Sequence, residues 1–227
     1  MKTLLKHFVK LFFLISLFGQ ILIAQELKVM SYNIRVGSVN DGENNWEIRK
    51  NKVADLMNYY DADFIGMQET QKFQMDFLLE QLPKYNSVGK PRTNGDNGEY
   101  SNIFYKINKF ELIEQNTFWL SETPDSISKG WDGAYHRNAT YALFKLNNSD
   151  KYIWVFNTHF DNAGSIARME SARLIIKKIE EISKLRNCDL VFMGDLNSEP
   201  DSEPVKYLSQ NLVETRSNCL TKPYGNS

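Results

Sequence analysis

Apolar residues follow two rhythms along this chain. Some stand in short continuous runs that stop abruptly at a polar residue; others recur every three or four positions. The runs are Val29-Met30-Ser31-Tyr32-Asn33, Phe64-Ile65-Gly66-Met67-Gln68-Glu69, Trp154-Val155-Phe156-Asn157-Thr158-His159 and Leu190-Val191-Phe192-Met193-Gly194-Asp195-Leu196-Asn197. Their length and their bounding turn residues predict buried strands, at residues 26–33, 63–68, 152–158 and 189–194. The helical spacing of Val53, Leu56, Met57 and Tyr60 predicts an amphipathic helix over 46–60. Thr70 is placed to cap a second helix, with Phe73, Phe77 and Leu78 facing inward and Pro83 just past its end. A long helix from Ser165 to Arg186 carries the stripe Met169, Ala172, Ile175, Ile176, Ile179 and Ile182.

This opening of strand, helix, strand, helix is the pattern of an α/β layer structure. The middle differs. Residues 85–90, 101–106, 110–120, 139–146 and 152–158 are rich in Tyr, Phe, Ile, Val and Trp, with turn residues between them. Such a succession predicts antiparallel pairing. Polar loops fall at 91–99, entered by Lys90 and Arg92, and at 121–136, which carries Trp131 and Tyr135; residues 200–209 read as a loop and a short helix. Either aromatic is suited to stack on a sugar, base or lipid headgroup, or to pack over the sheet edge.

The chain has 227 residues and no internal linker rich in Pro, Gly or Ser, so residues 25–227 read as one domain. Residues 1–24 read as a signal peptide: Lys2, Lys6 and Lys10 precede an apolar run from Leu11 that ends at the small Ala24. The expected product is exported, periplasmic or extracellular, monomeric, and without a stable membrane span after processing. Losing those three lysines takes the formal charge from −1 to −4, a balance with no general pull toward nucleic acid or anionic lipid. Cys188 and Cys219 allow one disulfide or two thiols.

Function has to be argued from the polar residues that end the runs. Gly194 permits a close backbone approach, and Asp195 and Asn197 share one side of an extended segment. They serve either as an Asx turn or as a carboxylate for water or metal beside an amide for a phosphate oxygen. Glu69 is either a solvated helix-start residue or a ligand for a hard cation, with Asn33 as a second ligand, an orienting group or a turn residue. His159 is either a histidine hydrogen-bonded within the fold or a group for proton transfer or charge stabilisation at phosphorus, with Asp161 placed to orient it or to contribute to the site. Arg137 and Arg168 are surface groups or phosphate ligands, while His136 reads as structural or surface.

In their order along the chain, Met30-Ser31-Tyr32-Asn33-Ile34, Ile65-Gly66-Met67-Gln68-Glu69, Asn157-Thr158-His159 and Gly194-Asp195-Leu196-Asn197 resemble the endonuclease/exonuclease/phosphatase superfamily, which includes deoxyribonuclease I. Gly98-Glu99-Tyr100-Ser101 through Arg137 looks like its secreted bacterial branch. The resemblance implies an α/β (α+β) four-layer sandwich of two packed mixed sheets with helices outside. It implies Mg²⁺ (or Mn²⁺) at Glu69 and Asn33, His159 on the scissile phosphate as acid or charge stabiliser, Asp195 positioning or activating water, and Asn197 orienting Asp195 or a phosphate oxygen. The partner would be a phosphorylated substrate: a small molecule, a phospholipid headgroup or nucleic acid, cleaved by a phosphodiesterase, nuclease or phosphatase. The family pattern closes with an Asp-His pair near its C-terminus that has no counterpart after Asn197, so the sequence reads as C-terminally truncated. The alternative expectation is a non-catalytic binding or scaffold protein, or an inactive fragment.

Overall fold

The computed structural model describes residues 26–95, 98–215 and 218–219. The expected signal peptide, residues 1–24, lies outside them.

Eight strands and four helices follow one another as β1 (Val29–Asn33), α1 (Trp46–Tyr60), β2 (Phe64–Gln68), α2 (Lys72–Gln81), β3 (Tyr85–Val88), β4 (Ile103–Lys106), β5 (Phe110–Trp119), β6 (Asn138–Leu146), β7 (Tyr152–His159), α3 (Ser165–Leu185), β8 (Asp189–Asp195) and α4 (Glu203–Asn211). The strands form two four-stranded sheets, in the orders β1-β2-β4-β3 and β5-β6-β7-β8. Both are mixed. β1 and β2 are parallel, as are β7 and β8, while the other pairs are antiparallel.

The period-2 alternation of each strand sorts its side chains between layers. On β2, Ile65 and Met67 join Val53, Met57 and Leu78 of α1 and α2 in one core. Phe64 turns the other way and meets Phe110, Phe144, Val155 and Met193 of the second sheet. On β7, Trp154 and Phe156 pack with Ala172, Ile175, Ile176, Ile179 and Ile182 of α3 and with Leu208 of α4. The order of layers is therefore helices, sheet, sheet, helices, a four-layer sandwich. At the ends of β1, β2, β7 and β8 the same alternation turns polar residues into the gap between the sheets.

Gly66 lets that gap be narrow: a Cβ there would stand 2.6 Å from Asn157 Oδ1 of the opposite sheet. Asn157 uses this closeness to join the sheets. Its Nδ2 donates to the carbonyls of Met67 and Asn102, both at 2.8 Å, and its Oδ1 accepts from Gln68 Nε2 at 2.7 Å. Asn157→Ala would strand these partners in a fully buried place. It is expected to cost about 2–3 kcal/mol, measured by urea unfolding.

The structure corrects three expectations. Val29 is 43% exposed and β8 is only partly covered, because β1 and β8 are the outer strands of their sheets among the described residues. Gln71, not Thr70, caps α2, in a reciprocal pair with Gln74; Thr70 instead bridges to Tyr100. Phe73 is exposed, and α2 buries Gln74 and Leu78 instead. Cys188 and Cys219 are separate thiols.

Candidate active site

β1, β2, β7 and β8 all end at one edge of the sandwich, because each parallel pair points the same way and the registers place Asn33 opposite Gln68 and His159 opposite Asp195. Asn33 ends β1, Glu69 follows β2, His159 ends β7, Asp195 ends β8, and Asn197 lies two residues beyond.

These five residues form one continuous network. Asn33 Nδ2 donates to Glu69 Oε1 and to Asp195 Oδ2, each at 3.0 Å, so one amide holds two carboxylates from different sheets. Glu69 Oε2 accepts the Val36 N–H at 3.0 Å. Asp195 Oδ1 accepts the Asn197 N–H at 3.0 Å. Asn197 Nδ2 meets His159 Nε2 at 2.9 Å and the Phe160 carbonyl at 3.0 Å. With both Nδ2 hydrogens given away, His159 Nε2 is the acceptor and the ring is the neutral Nδ1–H form. His159 Nε2 lies 3.8 Å from Asp195 Oδ2.

The backbone carries strain here. Arg35, Glu69 and Asn197 have φ of 62°, 59° and 45°, left-handed values found after β1, β2 and β8. Asn tolerates this conformation; Glu and Arg adopt it at a cost. At Glu69 it turns the carboxylate back toward Asn33 and Val36.

Burial would raise the Glu69 carboxyl, but hydrogen bonds from Asn33 and Val36 and the nearby His159 and Arg35 bring it below its ordinary value. It is a firm anion. His159 is pulled down to about 4, first by burial and then by the neighbouring Arg137 charge, with Asp195 and Glu69 pulling the other way. Its imidazole is neutral at pH 7.

Arg137, just before β6, is 5% exposed and lines a closed seam with Glu69, His159, Arg92 and Glu99. On the other side, Asn33, Asp195, Asn197 and Arg168 line an open cavity of about 1,040 Å³.

Asp161 does not orient His159. It accepts the N–H groups of Ala163, Gly164 and Tyr135 at 2.9, 2.8 and 3.0 Å, so it fastens the 121–136 loop to the start of α3. Arg168 donates to the Asp161 carbonyl at 3.1 Å. Gln68 and Asn157 had no role assigned from sequence, although each stands in a motif run. A polar residue inside a buried run, one position before Glu69 in one case and two before His159 in the other, is the available signal. Trp131 is half-buried, whereas Tyr135 is 51% exposed, with its ring over the guanidinium groups of Arg92 and Arg137.

A two-sheet sandwich with carboxylates, an amide pair and a histidine at one edge defines the class of fold: an α/β sandwich with a polar site where its parallel strands end. The chain belongs to the Endonuclease/Exonuclease/phosphatase family, whose pattern it matches over residues 30–226. Members of that family are phosphoester hydrolases, generally dependent on a divalent metal. The chain is 36% identical to a mannosyl-6-phosphatase from Bacteroides thetaiotaomicron, with a TM-score of 0.79 over 82% of this chain and 70% of that one. It is 30% identical over 162 residues to the uncharacterized protein L388 of Acanthamoeba polyphaga mimivirus, covering 68% of this chain and 60% of that one. It is 23% identical over 198 residues to a probable CCR4-Not complex 3′-5′-exoribonuclease subunit of Vairimorpha ceranae, covering 77% of this chain and 41% of that one. The chain thus spans about 60% and 41% of the lengths of these last two relatives.

Among the described residues no helix is long and apolar enough to cross a membrane.

Proposed function

We propose that this chain is an exported, Mg²⁺-dependent phosphoric ester hydrolase, with Mn²⁺ able to substitute. The observation that carries this reading is the Asn33 amide set between the Glu69 and Asp195 carboxylates, with His159 joined to them through Asn197. Export rests on the basic and apolar N-terminal sequence.

The donor set fits a magnesium ion. Glu69 and Asp195 supply hard anionic oxygens on either side of one point, now held by the partly positive Asn33 N–H groups. A half-turn of that amide presents its oxygen instead. Among the described residues no group of three or more His, Cys, Asp or Glu side chains is arranged to hold a metal. Mg²⁺ does not need one, since it commonly takes one or two carboxylates and keeps its waters or substrate phosphates. Glu69 and Asn33 would be its ligands. When bound it would neutralise charge on the phosphoryl oxygens.

The chain's own residues supply the rest. Asp195, fixed by Asn33 and by the Asn197 N–H, takes a proton from the attacking water as the new O–P bond forms and the ester P–O bond breaks. Asn197 keeps Asp195 and His159 in register, and once His159 Nε2 is protonated the Nδ2 hydrogen it had accepted is released to a phosphate oxygen. Arg137 offers its guanidinium to another. A phosphate beside His159 adds negative charge that offsets the Arg137 charge, and so favours the protonated imidazole. That imidazolium then donates to the leaving oxygen.

Glu69→Gln tests the reading. Titration calorimetry should show Mg²⁺ binding to the parent and a loss of about 10–100-fold in the variant, the range seen when groups supporting a metal are removed. Equal Mg²⁺ affinity in the two proteins, or hydrolysis by the parent that survives EDTA, would remove Glu69 from the role given to it.

A further inference from the structure

A second open cavity adjoins the site. It measures about 680 Å³ and lies between the end of β1 and α1, lined by Asn33, Arg35, Asp41, Asn44, Arg49 and Lys52. That volume falls within the roughly 300–1,000 Å³ of pockets that take organic ligands. Asn33, whose amide holds the Glu69 and Asp195 carboxylates, stands on the border between this cavity and the one toward Arg168. The two differ in charge. The first has three cations, Arg35, Arg49 and Lys52, against the single carboxylate of Asp41. The second has four carboxylates, Asp195, Glu199, Glu203 and Glu214, against Arg168 alone. Even with Glu203 paired to Lys206, acid prevails there.

Of the three cations only Arg35 has a bonded counter-ion: its Nε and Nη2 donate to Asp41 at 2.7 and 3.0 Å. Its left-handed backbone sets the cluster against the site, with the Arg35 N–H donating to Asn33 Oδ1 at 2.9 Å. Arg49 is held by uncharged acceptors. Its Nε donates to the Asn44 carbonyl and its Nη2 to the Arg35 carbonyl, both at 2.8 Å, and its Nη1 donates to the Ile34 carbonyl. These bonds fix the guanidinium, leave N–H groups on both terminal nitrogens open, and supply no anion. Burial works against the Arg49 charge. Lys52 lies one turn further along α1, exposed, with no hydrogen bond or ion pair among the described residues. Like charges three residues apart on a helix repel. An anion between them turns that repulsion into attraction for both.

We propose that this cavity receives a second phosphate of the substrate, so that the ester hydrolysed is a small bisphosphate: one phosphate reacts beside Asn33, Glu69, His159 and Asp195 while Arg49 and Lys52 hold the other. The inference rests on the hydrolase reading above and names its substrate class. The Arg49 fork suits phosphate oxygens and the Lys52 ammonium adds a point charge. Hydrolysis releases inorganic phosphate and leaves an alcohol with a single phosphate, which has lost one of its two anchors. A polynucleotide offers the same phosphate chemistry. Its chain would run on past the reacting phosphate into the acidic cavity, where the carboxylates repel it.

The test uses the full chain with Mg²⁺ present and three kinds of probe: propyl phosphate, the bisphosphates of straight-chain diols from propanediol to hexanediol, and an oligothymidylate. Turnover and calorimetric affinity are measured for each. The best bisphosphate is expected to exceed propyl phosphate in kcat/KM by at least about 10-fold, the worth of one hydrogen bond to a charged group. A diol that reacts at either end accounts for a doubling only. The gain should appear in KM and in affinity. Lys52→Glu reverses one charge at an exposed position and should bring the ratio to within about 3-fold. Arg49→Gln should do the same, and Lys52→Glu covers the case in which it fails to fold. A parent protein that treats propyl phosphate and every bisphosphate alike overturns the proposal and leaves the hydrolase reading standing. So does a Lys52→Glu protein that keeps the full ratio, or a parent that prefers the oligothymidylate. A parent that neither binds nor cleaves any of the probes overturns both.

Discussion

Asp195→Ala is expected to lower phosphoester turnover by about 10²–10⁴-fold, the usual worth of a positioned proton acceptor. The loss should fall on kcat, because Asp195 is assigned to the water and not to the ester. The fold should survive. Asp195 has a side chain 32% exposed at the end of an outer strand, so its loss leaves no sealed cavity. Asn33 keeps its bond to Glu69, and the Asn197 N–H, left without its acceptor, can reach water. The stability cost should stay near about 1 kcal/mol. Steady-state kinetics with p-nitrophenyl phosphate, beside a thermal melt, separates the two effects. Unchanged kcat in a folded variant would take Asp195 out of the chemistry.

The second large effect concerns stability. Asp161→Ala is expected to cost about 3–5 kcal/mol, as when one partner of a buried ion pair is removed. Asp161 is 2% exposed, and burial alone would raise its carboxyl. The N–H groups of Gly164, Tyr135, Ala134 and Ala163 outweigh that and hold it well below the ordinary carboxylate range. The sign of the pH dependence follows. A carboxyl with a depressed pKa in the folded state lends stability above its unfolded value, about 3.9, and loses it as pH falls toward the folded value. The penalty for Asp161→Ala should therefore be complete at neutral pH and shrink below about pH 4. Urea unfolding of parent and variant at both ends of that window measures it. A penalty that stays constant across the window would mean that the charge contributes nothing.

Much of this was legible in the residues. The short apolar runs and the helical spacings placed every strand and helix within a few positions. Strands without intervening helices gave the antiparallel middle. Polar residues at the ends of four runs pointed to one edge of a sheet. What the pattern did not contain was anything set by contact between distant segments. Phe73 fits the helical stripe of α2, but Gln74 takes the buried place, its side chain bonded to the Gln71 and Gly37 N–H groups. Asp161, two residues from His159, looks like its orienting partner. The chain turns after β7, so the carboxylate meets the backbone of the 121–136 loop instead. The left-handed turns at Glu69 and Asn197 leave no mark in a sequence without glycine there. The partners of Asn157 depend on how closely two sheets approach, which only Gly66 hints at.

The division of the network between the two sheets has a further result. Asn33 and Glu69 come from the first half of the chain; His159, Asp195 and Asn197 come from the second. Neither half holds a working set, so docking of the sheets and competence to bind are a single event. Any ligand that needs both halves must stabilise the whole molecule by mass action, and a molecule whose layers have parted is at once unable to bind.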